Sequence, residues 1–125
     1  MTATGRAVAM ARLAAAAAAE KKAVDIVALD VSEALFITDV FLVCTGGNEL
    51  QVAAIMDEVE RVLHAQGFTA ARREGDRERR WVLLDFIDIV VHVQLAQERM
   101  EYSLERLWKD CPAIDLRIPA LGLPR

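Results

Sequence analysis

The sequence predicts a small α/β domain: one mixed sheet of about five strands, flanked by helices. Three observations lead there. Val52, Ile55, Met56, Val59, Val62 and Leu63 recur at helical spacing, one apolar stripe on a long helix over about 49–66. Two short strand-like runs, 25–31 and 39–45, precede it. Residues 81–85 and 88–95 read as two strands folded back at a tight turn, the second alternating with a period of two. Helices and strands interleave over 125 residues, enough for one domain with a real core.

Residues 1–19 hold Arg6, Arg12, no acid and a run of alanines from Ala14 to Ala19. Alanine is too weakly hydrophobic for a secretory core segment, and a transit peptide carries more serine and arginine. Alanine is also the best helix former and Thr4 is a capping residue. A helix over about 5–22 is therefore expected, docked through Val8, Leu13 and the alanines. No apolar stretch is long enough to span a bilayer. Residues 25–31 are β-branched with acids at both ends; 32–38 connect, with a turn starting at Ser32. Residues 39–45 are nearly all apolar, as in a central strand covered on both faces. Gly46-Gly47 breaks that strand, Asn48 caps the long helix, and Gln66-Gly67 stops it.

Residues 69–73 read as a short strand, and the run from Arg72 to Arg80, which mixes both signs, as a solvated loop. After the hairpin, 96–109 reads as one helix with Met100, Leu104, Leu107 and Trp108 on one side. Pro112 ends it. The domain closes at 113, and 114–125 are expected to form an irregular, partly mobile tail.

The formal net charge of −4 excludes a strongly basic nucleic-acid binder and favours a basic partner. Cys44 and Cys111 make neither a disulfide framework nor a metal site; they read as reduced thiols.

The hairpin presents two unlike faces. With Phe86-Ile87 as its loop, the register pairs Asp85 with Asp88, Leu83 with Val90 and Trp81 with His92. One face is then purely apolar: Val82, Leu84, Ile89, Val91 and Val93. The other carries Trp81, Leu83 and Val90, bounded by two carboxylates and an imidazole.

Opposed carboxylates repel unless a cation or basic group satisfies them. A metal-dependent nucleotidyltransferase also joins a Gly-rich turn to a helix and then to strand carboxylates, an order that Gly46-Gly47-Asn48, Asp85 and Asp88 imitate. The spacing argues against it, since two ligands on one strand share a face only at even separations and these lie three apart. No phosphate-gripping lysine follows the glycines. His92 has no recognisable nucleophile beside it, because neither Ser32 nor Ser103 has that context. An apolar strip with an aromatic anchor and a charged rim is instead how a protein interface looks, with Tyr102 and Trp108 on the last helix either packing on the sheet or joining it.

Several dispersed motifs carry a resemblance. They are Lys22-Ala23-x-Asp25-Ile26-Val27-x-Leu29-Asp30-Val31, Thr38-Asp39-x-Phe41, Gly46-x-Asn48-x-x-Gln51-Val52 and Arg73-Glu74-Gly75. To these are added Trp81-Val82-Leu83-Leu84-Asp85-x-x-Asp88-Ile89-Val90-Val91-His92-Val93 and Tyr102-x-Leu104-Glu105-x-Leu107-Trp108-x-Asp110. In order and spacing, over about residues 8–113, the chain resembles the ribosomal silencing factor (Iojap-like) family.

The resemblance implies a nucleotidyltransferase-like fold without enzymatic activity, metal or cofactor. It implies a cytoplasmic protein that binds ribosomal protein fourteen of the large subunit, on the face that meets the small subunit. Subunit joining is then blocked and translation falls when nutrients are scarce. It also implies a homodimer when free. Carried onto this chain, Trp81, Leu83, Asp85, Asp88, Val90 and His92, with Tyr102 close by, are the expected docking residues. Acids facing a basic ribosomal protein would speed association and fix its orientation. One departure stands out: Ile87 occupies a loop position where many members carry glycine or a polar residue. A tight primed turn wants positive φ there, which a β-branched residue resists, so either the turn is wider or the register slips.

Overall fold

A computed structural model describes residues 2–118. Its elements are α1 (Gly5–Glu20), β1 (Val24–Asp30), β2 (Val40–Gly46), α2 (Glu49–Ala65), β3 (Arg72–Glu74), β4 (Trp81–Asp85), β5 (Ile89–Leu95), α3 (Ala96–Glu101) and α4 (Leu104–Leu107). The sheet order is β1-β2-β5-β4-β3. Only β2 and β5 run parallel; the other neighbours are antiparallel, so the predicted mixed five-stranded sheet is present. The parallel pair requires a crossover, which α2 supplies.

The helix ends are set by the residues expected to set them. Thr4 Oγ1 accepts from the Ala7 N–H (3.1 Å), and Asn48 Oδ1 from the Gln51 N–H (2.8 Å). Gly67, at φ +90°, stops α2 in the left-handed region. Small side chains let α1 lie close: Ala7, Ala11, Ala14, Ala15 and Ala18 are fully buried. With Val52, Ile55, Met56, Val59 and Leu63 of α2 they cover one sheet face, made of Val40, Leu42, Cys44, Val82, Leu84, Ile89, Val91 and Val93. Burial pushes the Cys44 thiol up to about 12, so it serves as an apolar filler. The start of α1 is tied to one end of the sheet. Ala3 N–H donates to Asp30 Oδ2 (2.8 Å), Thr4 N–H to Asp39 Oδ2 (2.9 Å), and Arg6 Nε to Asp88 Oδ2 (2.8 Å). Carboxylates there also suit the positive end of the helix dipole.

Three expectations change. The hairpin register is offset by two: Asp85 pairs with Val90, Leu83 with His92 and Trp81 with Gln94. The loop residues are Ile87 and Asp88, because the Phe86 N–H donates to the Ile89 carbonyl (2.9 Å) and extends the ladder. This buries Phe86 beside the core, an effect of roughly 1.5–3 kcal/mol. The cost is φ +73° at Ile87, about 1–2 kcal/mol for such a residue. Burial outweighs strain. Because the offset is even, every side chain keeps its predicted face.

The predicted helix over 96–109 is two short helices. Tyr102 leaves helical geometry (φ −123°, ψ 69°), and Ser103 Oγ accepts from the Arg106 N–H (3.2 Å) to start α4. Arg99 binds both pieces to the sheet, donating to both Glu105 carboxylate oxygens (3.0 Å each) and to Thr45 Oγ1 (3.0 Å). The hydrogen bond from Arg99 holds the Glu105 carboxyl below the usual range.

The charge run is no uniform solvated loop. Arg73 lies in β3 and turns to α2, pairing with Glu60 (2.7 Å), Asp57 (2.9 Å) and Asp76 (2.7 Å). Burial disfavours its charge, but these three carboxylates more than offset that and its pKa rises.

The tail, as far as 118, lies along the outer edge of β1. Pro112 carbonyl accepts from Asp30 N–H (2.8 Å), and Ile114 N–H donates to the Ala28 carbonyl (2.9 Å). Ile114, Leu116 and Ile118 rest against the core. The rest of the expected irregular tail, 119–125, lies outside the described residues.

Candidate functional site

The second sheet face has no long helix over it. Register places Phe41, Val43 and Thr45 of β2 on this face with Val90, His92 and Gln94 of β5 and Trp81, Leu83 and Asp85 of β4. The short α3 and α4 rim it.

Five rings run across this face in one chain. Tyr102 to Trp81 is 5.8 Å between centroids, Trp81 to His92 is 6.0 Å, His92 to Phe41 is 4.9 Å and Phe41 to Trp108 is 6.1 Å. The last two contacts are edge-to-face, the arrangement that ring quadrupoles favour. Exposure rises from His92 towards Tyr102. His92 is 5% exposed, Trp81 and Phe41 are half-buried, and Tyr102 is 54% exposed.

Trp81 Nε1–H donates to His92 Nδ1 across 3.1 Å. An imidazole accepting at Nδ1 is neutral, with its proton on Nε2. Burial pushes its pKa down to about 4, a shift the Asp85 charge opposes. His92 Nε2 is itself buried with no partner among the described residues. Below the rings, Gln94 is wholly buried and donates to the Tyr102 carbonyl (3.3 Å), which pins the point where α3 ends.

Trp81 is also fixed from its backbone side. Gly75, at φ +90°, lies so close that a Cβ there would collide with the Trp81 carbonyl oxygen. Only glycine fits.

The expected docking residues divide accordingly. Trp81, Leu83, Asp85, Val90 and His92 share the face, and Tyr102 joins them from α3. Val90 and His92 are buried, so they support the surface rather than form it. Asp85 is half-buried: its Oδ2 accepts from Arg72 (3.0 Å) and its Oδ1 from the Ile87 N–H (2.8 Å). Asp88 does not oppose it. It sits in the turn and engages Arg6 of α1, the helix covering the opposite face. The two carboxylates thus each have a separate arginine. Among the described residues, no three His, Cys, Asp or Glu side chains are grouped to hold a metal ion.

Sequence reasoning did not connect Phe41 to this site, because only the parallel β2–β5 register aligns it with Val90. It also did not single out Phe36, Ile37 and Ile87 as exposed apolar side chains. The first two lie in the β1–β2 connection and the third in the hairpin turn, at the same sheet end.

The family model described as "Ribosomal silencing factor during starvation" matches residues 4–122. The chain belongs to the ribosomal silencing factor family. It is similar to the ribosomal silencing factor of Halalkalibacterium halodurans, 45% identical over 105 residues, covering 84% of this chain and 90% of that one. It is likewise similar to that of Bacillus subtilis, 44% identical over 105 residues and covering 84% and 89%. A crystal structure of a Chromobacterium violaceum protein superposes with a TM-score of 0.79 at 32% identity, covering 91% of this chain and 94% of that chain. In this silencing factor, as its family name indicates, the function is regulatory and directed at ribosomes. No helix among the described residues is long and apolar enough to cross a membrane.

Proposed function

We propose that this silencing factor binds the large ribosomal subunit through ribosomal protein fourteen, on the face that meets the small subunit. Bound there, it blocks subunit joining sterically and represses translation under nutrient limitation. The contact surface is the second sheet face, with exposed Tyr102 and half-buried Trp81 and Leu83 as its accessible part and Val90 and His92 as its support. Asp85 and Asp88 mark its acidic margin.

The observation that carries this reading is the ring chain. An aromatic ridge held by the Trp81–His92 hydrogen bond loses little conformational freedom on docking, and rigid aromatic anchors dominate protein interfaces. A net charge of −4 suits a basic ribosomal partner. No bond-making chemistry is assigned to the face. The protein acts in the cytoplasm, and when free it is a homodimer.

Co-sedimentation of the purified protein with large subunits at low magnesium tests the reading. Binding should be accompanied by a fall in joined ribosomes on sucrose gradients. A protein that stays at the top of the gradient with excess large subunits would refute it.

A further inference from the structure

The outer end of the ring chain borders a cavity of about 490 Å³. Trp81 and Tyr102 form its aromatic wall, with 33° between their planes. Glu78, Glu98 and Glu101 bring three carboxylates to it, and Arg80 one guanidinium. Arg80 is held by Glu98 (2.9 Å). Among the described residues, Glu101 accepts only from the neutral Gln97 amide (3.2 Å), and Glu78 forms no ion pair. Two negative charges therefore remain uncompensated beside two rings.

The ring wall adds an independent constraint. The single polar atom of the Trp81 side chain is committed to His92 on the inner side. What the indole offers the cavity is hydrocarbon and π surface. Such a wall favours a cation over its face. An anion would be repelled by Glu78 and Glu101, and a neutral apolar group would desolvate them without compensation. A planar guanidinium can lie along the tilted rings while its N–H groups reach a carboxylate.

We infer that this cavity takes an arginine side chain of a basic protein partner. The inference rests on the docking of this face described above and gives it a chemical address. Trp81 and Tyr102 supply the stacking surface. Glu101 and Glu78 supply the countercharge and the preference for a cation.

The test uses the full chain, with N-acetyl-arginine amide as probe and N-acetyl-citrulline amide as its neutral isostere, at constant ionic strength. The Trp81 indole N–H and Tyr102 amide resonances should shift saturably with the arginine probe, in the millimolar range. The citrulline probe should bind at least about fivefold more weakly. A Glu78→Gln/Glu101→Gln variant, altered at exposed carboxylates only, should lose the same factor with an unchanged melting temperature. Equal response to both probes, or none to either, overturns the site. Large-subunit binding is measured in parallel. If wild type and variant bind subunits equally, the arginine site is overturned and the silencing reading stands. If the chain takes arginine selectively but ignores large subunits, the site stands and the ribosomal reading falls.

Discussion

The Trp81 indole N–H ends on His92 Nδ1, 3.1 Å away, and the imidazole that receives it is buried between Trp81 and Phe41. This bond couples the half-buried anchor of the face to a titratable group beneath it.

Acid should therefore loosen the fold before the carboxylates titrate. His92 has its pKa lowered by burial, from 6.5 to about 4, so the unfolded chain binds the proton more readily than the folded one. Its stabilising effect is complete above pH 6.5 and is lost as pH falls from there towards 4. Between pH 7 and pH 5 the loss should be roughly 2 kcal/mol, read as a drop in the urea midpoint. Asp30 adds its own loss only at lower pH. Burial would raise its carboxyl, but hydrogen bonds from Ser32 Oγ and from the Ala3 and Ser32 N–H groups hold it below the usual range. In His92→Gln, which keeps an acceptor but does not titrate, the slope between pH 7 and 5 should flatten.

Trp81→Ala and Trp81→Phe should separate docking from support. The alanine variant removes the anchor and should weaken large-subunit binding by about 2 kcal/mol or more, some thirtyfold. The phenylalanine variant keeps most of the ring surface but leaves His92 Nδ1 buried without a donor. It should lose about 1–2 kcal/mol of stability while binding better than the alanine variant. Chemical denaturation and subunit co-sedimentation on the same preparations give both numbers.

Gly75→Ala should be disproportionately harmful for an exposed loop residue. Its positive φ and its approach to the Trp81 carbonyl both oppose a Cβ. A loss of roughly 2–3 kcal/mol is expected, with a change in Trp81 fluorescence. A neutral result would mean that the loop relaxes without disturbing β4.

Ile87→Gly should stabilise. It relieves φ +73° at a side chain that is 58% exposed and contributes little burial. The gain should be about 0.5–1 kcal/mol after the greater entropy of glycine in the unfolded chain is subtracted, with an unchanged denaturant slope. A decrease in stability would show that the exposed isoleucine makes a packing contribution larger than its strain.

Arg73→Met should cost about 1–2 kcal/mol at low salt and less at high salt. It leaves Asp57, Glu60 and Asp76 without their shared cation and loosens β3 from α2. Urea midpoints at two ionic strengths measure this.

By itself the sequence determined the element order, both long helices with their caps, the two faces of the hairpin and the motifs that point to the family. These depend on local rules: a 3.6-residue period in α2, a two-residue period in β5, Thr4 and Asn48 as caps, and Gly67 as a stop. Even the shifted register preserved the faces, because only an odd offset exchanges them.

Tertiary structure alone decided which residues meet. Whether Phe86 enters the ladder or the turn depends on the core that α1 and α2 complete against the sheet. The helix over 96–109 breaks at Tyr102 because Gln94 takes its carbonyl and Ser103 restarts the chain, an outcome that apolar spacing does not encode. Phe41 reaches His92 through a parallel pairing about fifty residues apart in sequence, and the separation of Asp85 from Asp88 depends on arginines brought in from β3 and α1. Side-chain periodicity records which way a residue points; what it meets there is set by the packing of distant segments.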